Sequence, residues 1–305
     1  MATDVKDLER MREALEASGR YRVLERYRKP ARYLPAPAAD TELLTGLYVD
    51  VETTGLSAAS DRIIELGMVA FEFDREGHIY ALLDELSAFE DPGRPIPPEI
   101  VRITGITDDM VAGQHLPDSA VDSLVDAAHV VIAHNAAFDR PFLERRLPTF
   151  AQRAWACSAR DVPWSAEGFE GRKLEYLAMK QGFVYDGHRA SSDCLAGVHL
   201  LSMALPRSGR TALDTLLERA RRKGGRLYAV DSPFEAKDRL KARGYSWNGR
   251  VWYKDLPEDQ LEPEAEWLRA EVYGRPLRLP VFPLNAFVRY SERIPAVPPD
   301  SALRL

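Results

Sequence analysis

The sequence predicts an α/β unit built on a mixed sheet, joined to a smaller α+β region. Two patterns predict it. Between about Thr41 and Leu205, apolar β-type runs come first and then alternate with helical patterns. Beyond Pro206, Asn248-Gly249 lies between two aromatic, β-prone arms, which is the strongest short-range hairpin signal.

The first region, 1–40, reads as a helix with Leu8, Met11 and Leu15 on one stripe, expected to pack against the domain that follows. A linker with three prolines, Lys29 to Pro37, ends it. Region 41–206 is read as one domain. Its strands are placed at Leu47–Glu52, Ile63–Phe73, Tyr80–Phe89 and Val130–His134. Its helices are placed at Asp118–Ala128, Pro141–Leu147, Lys173–Lys180 and Ala190–Leu205, with Pro141 as a first helical residue. Region 207–305 reads as helix Thr211–Lys223, strand Arg226–Val230 and helix Phe234–Arg243. The Tyr245–Tyr253 hairpin follows, then helix Glu262–Tyr273 and a Pro-rich end with a strand near Ala286–Tyr290.

Hydrophobic residues make up 45% of the 305, enough for a sizeable core. Two cysteines exclude a disulfide framework and point to a reducing cytoplasm. No apolar run reaches the length of about eighteen residues that a membrane span needs. The charged start lacks the apolar stretch of a signal peptide. The net charge of −6 hides a division along the chain. Residues 34–206 carry 13 basic and 27 acidic side chains, whereas residues 207–254 carry 13 basic and 5 acidic.

Carboxylates carry the candidate chemistry. In Leu47-Tyr48-Val49-Asp50-Val51-Glu52, side chains alternate, so Asp50 and Glu52 point the same way. Two carboxylates side by side repel unless a cation lies between them, and a hard divalent ion fits oxygen donors of this kind. The run Val130 to Pro141 delivers His134-Asn135 and then Asp139 near a helix start, where Asp is also favoured as a cap. In His188-Arg189-Ala190-Ser191-Ser192-Asp193, the two end residues cannot share one helical face. His188 therefore belongs on a loop and Asp193 in the first helical turn. His134 and His199 read as packing or capping residues.

The order strand-DxE, strand-HNxxFD and loop-HxxxxD-helix resembles the DEDDh, or DnaQ-like, family of 3′→5′ exonucleases over about residues 45–205. Thr53-Thr54-Gly55-Leu56 and Ile103-Thr104-Gly105-Ile106-Thr107 add to the resemblance. It implies a ribonuclease H-like fold, a five-stranded mixed sheet flanked by helices. It also implies two divalent ions, Mg²⁺ or Mn²⁺, with Asp50 bridging both. Glu52 and Asp193 would complete one ion, and Asp139 would hold the other partly through water. His188 would be the general base. Thr53, Gly55, Leu56, Thr104, Asn135 and Phe138 would contact the terminal nucleotide.

The implied substrate is a nucleic-acid 3′ end, DNA ahead of RNA, with a polymerase or repair complex as candidate partner. The rival readings are an exoribonuclease that trims RNA ends and a non-catalytic recruitment module. The basic region offers Arg219, Arg221, Arg222, Lys223 and Arg226 as nucleic-acid contacts. A two-residue turn would pair Trp247 with Arg250 and Tyr245 with Trp252, placing all four on one hairpin face. That face could stack bases or form the small domain's core.

Overall fold

The structure is a computed structural model that describes residues 5–305. Met1–Asp4, the start of the expected leading helix, lie outside the described residues. Helix α1 spans Val5–Ala17, and a two-residue strand β1, Glu25–Arg26, pairs in parallel with β7, Phe183–Val184. The main sheet comprises β2 (Leu44–Thr53), β3 (Ile63–Phe73), β4 (Ile79–Phe89), β5 (Val130–Ala133) and β6 (Trp155–Cys157). Their spatial order is β4-β3-β2-β5-β6. β2, β3 and β4 are antiparallel neighbours joined by a loop (54–62) and a turn (74–78), whereas β2, β5 and β6 run parallel after helical crossovers.

Helices α2 (Pro98–Thr104), α3 (Asp108–Val111), α4 (Asp118–Ala127), α5 (Ala136–Arg146), α6 (Leu174–Gln181) and α7 (Ala190–Ser202) surround this sheet. Both faces of β3 are covered, which is why Ile63-Ile64-Glu65-Leu66-Gly67-Met68-Val69-Ala70 reads as a continuous rather than an alternating apolar run. Leu47, Val49 and Val51 join Phe142 and Leu143 of α5 in one core layer. Tyr48 faces the other way and joins Ala196 and Leu200 of α7. α7 lies directly on β3 because Gly67 leaves room: a Cβ there would be 2.3 Å from the Ala190 carbonyl carbon.

A second five-stranded sheet follows α8 (Ala212–Arg221). It contains β8 (Gly224–Ala229), β9 (Ser246–Trp247), β10 (Trp252–Pro257), β11 (Pro280–Leu284) and β12 (Leu303–Arg304), ordered β12-β11-β8-β10-β9. Helices α9 (Lys237–Ala242) and α10 (Glu258–Trp267) pack Leu240, Leu261 and Ala265 onto its Leu227, Leu256 and Val281. Among the described residues, no helix is long and apolar enough to cross a membrane.

Segments from both ends of the chain lie along the main sheet. The Tyr33 N–H donates to the Tyr80 carbonyl beside β4 (2.9 Å), and Lys29 pairs with Glu85. On the far side, the Trp155 N–H of β6 donates to the Ala286 carbonyl (2.8 Å). Arg140, with no exposed surface, reinforces that second contact. Its guanidinium donates to the carbonyls of Arg289 and Phe287, each at 2.6 Å, and to Glu144 Oε1 at 2.5 Å, and lies 5.2 Å from the Trp155 ring centroid. The Tyr290 hydroxyl donates to Asp161 (2.7 Å).

Several expectations are corrected. Leu8, Met11 and Leu15 of α1 are 53%, 57% and 41% exposed, so that stripe does not pack on the following domain. α5 begins at Ala136, which puts Pro141 in the helix interior instead of at its first position. β6 is only three residues long, too short to show a period, so the sequence predicts no strand there. In the hairpin, Trp247 pairs with Trp252 and not with Arg250. Asn248 Oδ1 accepts from the N–H groups of Arg250 and Val251, both at 3.0 Å, and this side-chain turn lengthens the loop to four residues. Tyr245 is buried in the small domain's core, so the four residues do not share one face. The late helix starts four residues earlier, at Glu258, and the last long strand is Pro280–Leu284, whereas 286–290 is irregular.

Candidate metal centre

Strand alternation sends Asp50 and Glu52 of β2 toward α7, opposite the apolar layer of Val49 and Val51. α7 starts at Ala190, which puts Asp193 in its first turn, facing them. One ligand oxygen from each of Asp50, Glu52 and Asp193 lies within 4.8 Å of the others. Asp139, in the first turn of α5 and 3% exposed, accepts the Val51 N–H at 3.3 Å. Its charge bears on Asp50.

Burial raises all four carboxyls, and repulsion from neighbouring carboxylates adds to the rise. Asp50 is held well above the usual carboxylate range by burial and then by Asp139, Asp193 and Glu52. Burial, Asp193 and Glu65 push Glu52 up to about 7, against the pull of Arg189. Burial also pushes Asp139 up to about 7, although the Val51 N–H opposes it. Asp193 is raised by burial, while the Tyr185 hydroxyl and His188 oppose the rise. Tyr185 donates to Asp193 Oδ1 at 2.7 Å.

An all-oxygen donor set of crowded, buried acids matches a hard divalent cation, which is bound through carboxylates at neutral pH. The same crowding has a consequence for stability. A carboxyl whose folded pKa exceeds its unfolded value binds more protons when folded, so stability falls as pH rises from about 4 to about 7. Metal-free protein is expected to melt several degrees lower at pH 8 than at pH 6, and saturating Mn²⁺ is expected to erase most of that difference. Thermal melts in EDTA and in Mn²⁺ check this, and a metal-free midpoint that rises with pH contradicts it.

His188 sits on the loop before α7 with φ +63°, and its side chain is 58% exposed. Its Nε2 lies 3.3 Å from Glu175 Oε1 on α6. Near the acids, Leu56 is 87% exposed and bare to solvent. Thr53 Oγ1 donates to the Gly55 carbonyl (2.6 Å), and a Cβ at Gly55 would strike Asp61. The Thr104 hydroxyl donates to the Ile100 carbonyl and accepts the Ile106 N–H, so it finishes α2. Asn135 is exposed before α5, and Phe138 is half-buried against Phe142, with ring centroids 5.1 Å apart. His134 bridges Ser158 Oγ and the Arg172 carbonyl, and burial pushes its pKa down to about 4.

In the basic region, Arg221, Lys223 and Arg250 are exposed, and Trp247 is 52% exposed. Arg219 and Arg222 are also exposed, Arg219 lying 3.8 Å from Asp161 and Arg222 paired with Glu218. Arg226 is a correction. Its guanidinium grips Asp255 through two bonds of 2.7 and 2.8 Å and covers the Tyr253 ring at 4.0 Å, so it is not free for a phosphate.

Two residues beside the acids went unread. Glu65 is detectable in principle, as the one charge inside an apolar run. Tyr185 carries no such signal, because an aromatic after Phe183-Val184 is ordinary strand composition.

The exonuclease family model RNase_T matches residues 47–201. The DNA polymerase III subunit epsilon of Treponema pallidum (strain Nichols) is 34% identical over 162 residues, which is 50% of this chain and 73% of that protein. The PolC-type DNA polymerase III of Listeria innocua serovar 6a is 43% identical over 158 residues. That match takes in 50% of this chain but only 10% of the polymerase, so the chain spans about a tenth of the PolC-type relatives' length. Among solved structures, an exonuclease X in complex with 5′-overhanging duplex DNA aligns with 57% of this chain and 98% of its own, at 26% identity and a TM-score of 0.44.

Proposed function

The chain belongs to the DEDDh, DnaQ-like exonuclease family, and from that premise we propose that it is a metal-dependent 3′→5′ exonuclease acting on single-stranded or frayed DNA 3′ ends. The observation that carries this reading is the convergence of Asp50, Glu52 and Asp193 within 4.8 Å, with Asp139 alongside. Asp50, Glu52 and Asp193 would hold one divalent ion, Mg²⁺ or Mn²⁺, with Asp50 and Asp139 against a second. When bound, such ions neutralise charge that develops on the phosphodiester oxygens.

The chain's own residues do the rest. His188, exposed at the mouth and already beside a carboxylate, takes the proton of the attacking water. Glu175 steadies the resulting imidazolium. Leu56 projects into solvent where it can wedge against the last base, and Asn135 and Phe138, before and within the first turn of α5, would add further contacts. Thr53 and Thr104 act indirectly, by shaping the turns that carry Gly55 and Ile106. Arg219, Arg221, Arg222, Lys223 and Arg250, with Trp247, would draw in the strand that the acidic domain repels. The relatives' names, both parts of DNA polymerase III, support DNA as substrate and a replicative polymerase as partner.

The test uses the full chain with 5′-labelled single-stranded DNA and matched RNA, in Mg²⁺, Mn²⁺ or EDTA. Stepwise shortening of DNA from the 3′ end, only with metal, is expected. Absence of cleavage, or immediate loss of the 5′ label, defeats the reading, and faster loss of RNA replaces DNA with RNA. His188→Ala should lower turnover by about two to four decades, the span of general-base catalysis. Full activity in that variant removes His188 from the chemistry.

A further inference from the structure

Helix α7 has an unusual start. Its cap position is Arg189, whose side chain makes no capping bond to the helix. The missing acceptor comes from another strand: Glu65 Oε2 accepts the Ala190 N–H at 3.2 Å. Glu65 Oε1 accepts from Arg189 Nε and Nη2 at 3.2 and 3.0 Å. Glu65 has no exposed surface, and it stands opposite Glu52 in the β2–β3 register. The Arg189 guanidinium is also 5.5 Å from the Phe89 ring centroid on β4. A buried anion at a helix N-terminus is favoured by the helix dipole and by the free N–H groups there.

We propose that Glu65 is a positioning residue of the metal centre: by gripping Arg189 and the Ala190 N–H it fixes the start of α7, and with it the Asp193 carboxylate and the His188 loop. Both Glu65 oxygens accept from these donors, and Glu65 is not among the acids whose oxygens cluster within 4.8 Å of one another, so it acts on the centre from beside it. The grip also explains how His188 keeps a left-handed backbone, a conformation that persists only where its surroundings impose it. Gly67, two residues along β3, sets the separation at which the grip operates.

This inference rests on the exonuclease reading for its consequence but not for its geometry, and the experiment separates the two. Glu65→Gln keeps the side chain's size but places an amide NH₂ against donors it cannot accept from. In the folded variant, Mn²⁺ binding measured by calorimetry should weaken by about 10- to 100-fold, the usual effect of losing a ligand-orienting partner. Amide exchange over Ala190–Cys194 should quicken. The DNA kcat should fall while KM changes little. Arg189→Ala should reproduce these effects with an added loss of stability, because it strands the buried Glu65 charge, and the double variant Glu65→Gln/Arg189→Gln, which removes both charges, decides the matter if neither single variant folds. Arg189→Lys should recover only part, because an ammonium cannot form the fork. A folded variant with parental Mn²⁺ affinity and parental exchange overturns the proposal, and so does a lowered melting point with unchanged Mn²⁺ affinity. If the parental protein takes up no Mn²⁺, the exonuclease reading fails, and the exchange measurement alone decides whether Glu65 anchors α7.

Discussion

Asp50→Asn is expected to lower nuclease turnover by about three to four decades while raising the melting point of the metal-free protein. The loss follows from position. Asp50 is the carboxylate on which Asp139, Asp193 and Glu52 all bear. Metal charge stabilisation supplies several kcal/mol to phosphoryl chemistry, and each factor of ten corresponds to about 1.4 kcal/mol. The gain in stability follows from the same crowding: a neutral amide keeps the shape and removes the central repulsive charge. Single-turnover decay of labelled DNA and melts in EDTA at pH 8 measure the two effects. An inactive variant that also melts lower has merely been damaged, and an active one takes Asp50 out of the mechanism.

Arg140→Ala should have the largest effect on stability, about 3–5 kcal/mol, the range for breaking a buried charged pair. Truncation leaves the Arg289 carbonyl without its side-chain donor and uncovers the Trp155 ring, while the Phe287 carbonyl and Glu144 keep only Arg293, whose side chain is 43% exposed. The nearby Arg145–Glu292 pair cannot compensate, because both partners are about half exposed and such pairs contribute little. Urea unfolding should show an early transition, and limited proteolysis should cut within 285–293 in the variant before the parent. A shift of the first midpoint equivalent to less than about 1 kcal/mol would show that the segment is held by other contacts.

The acids were legible because each depends on local geometry. Alternation alone puts Asp50 and Glu52 on one face, and the loop-to-helix switch at Arg189 follows from the failure of His188 and Asp193 to share a helical turn. Asp139 lies in the first turn of α5 even though the sequence points to a helix start five residues later, at Pro141. What stayed hidden is non-local. The pairing of Arg226 with Asp255 depends on the register of β8 and β10. The Arg140 anchorage uses backbone carbonyls, which every residue has and which leave no mark in composition. The hairpin register turned on one asparagine side chain, at a position where the Asn-Gly pair suggested the shorter loop.

The segments running beside β4 and β6 bear on how the molecule behaves among its own copies. An outermost strand left bare offers unpaired N–H and C=O groups to any neighbour, which is how soluble β proteins begin to aggregate. Here the Tyr33 N–H and the Ala286 carbonyl occupy part of both margins of the sheet that carries the acids. The same stretches of chain thus cover part of each outermost strand in the folded molecule and leave fewer of its groups open to pairing with another copy.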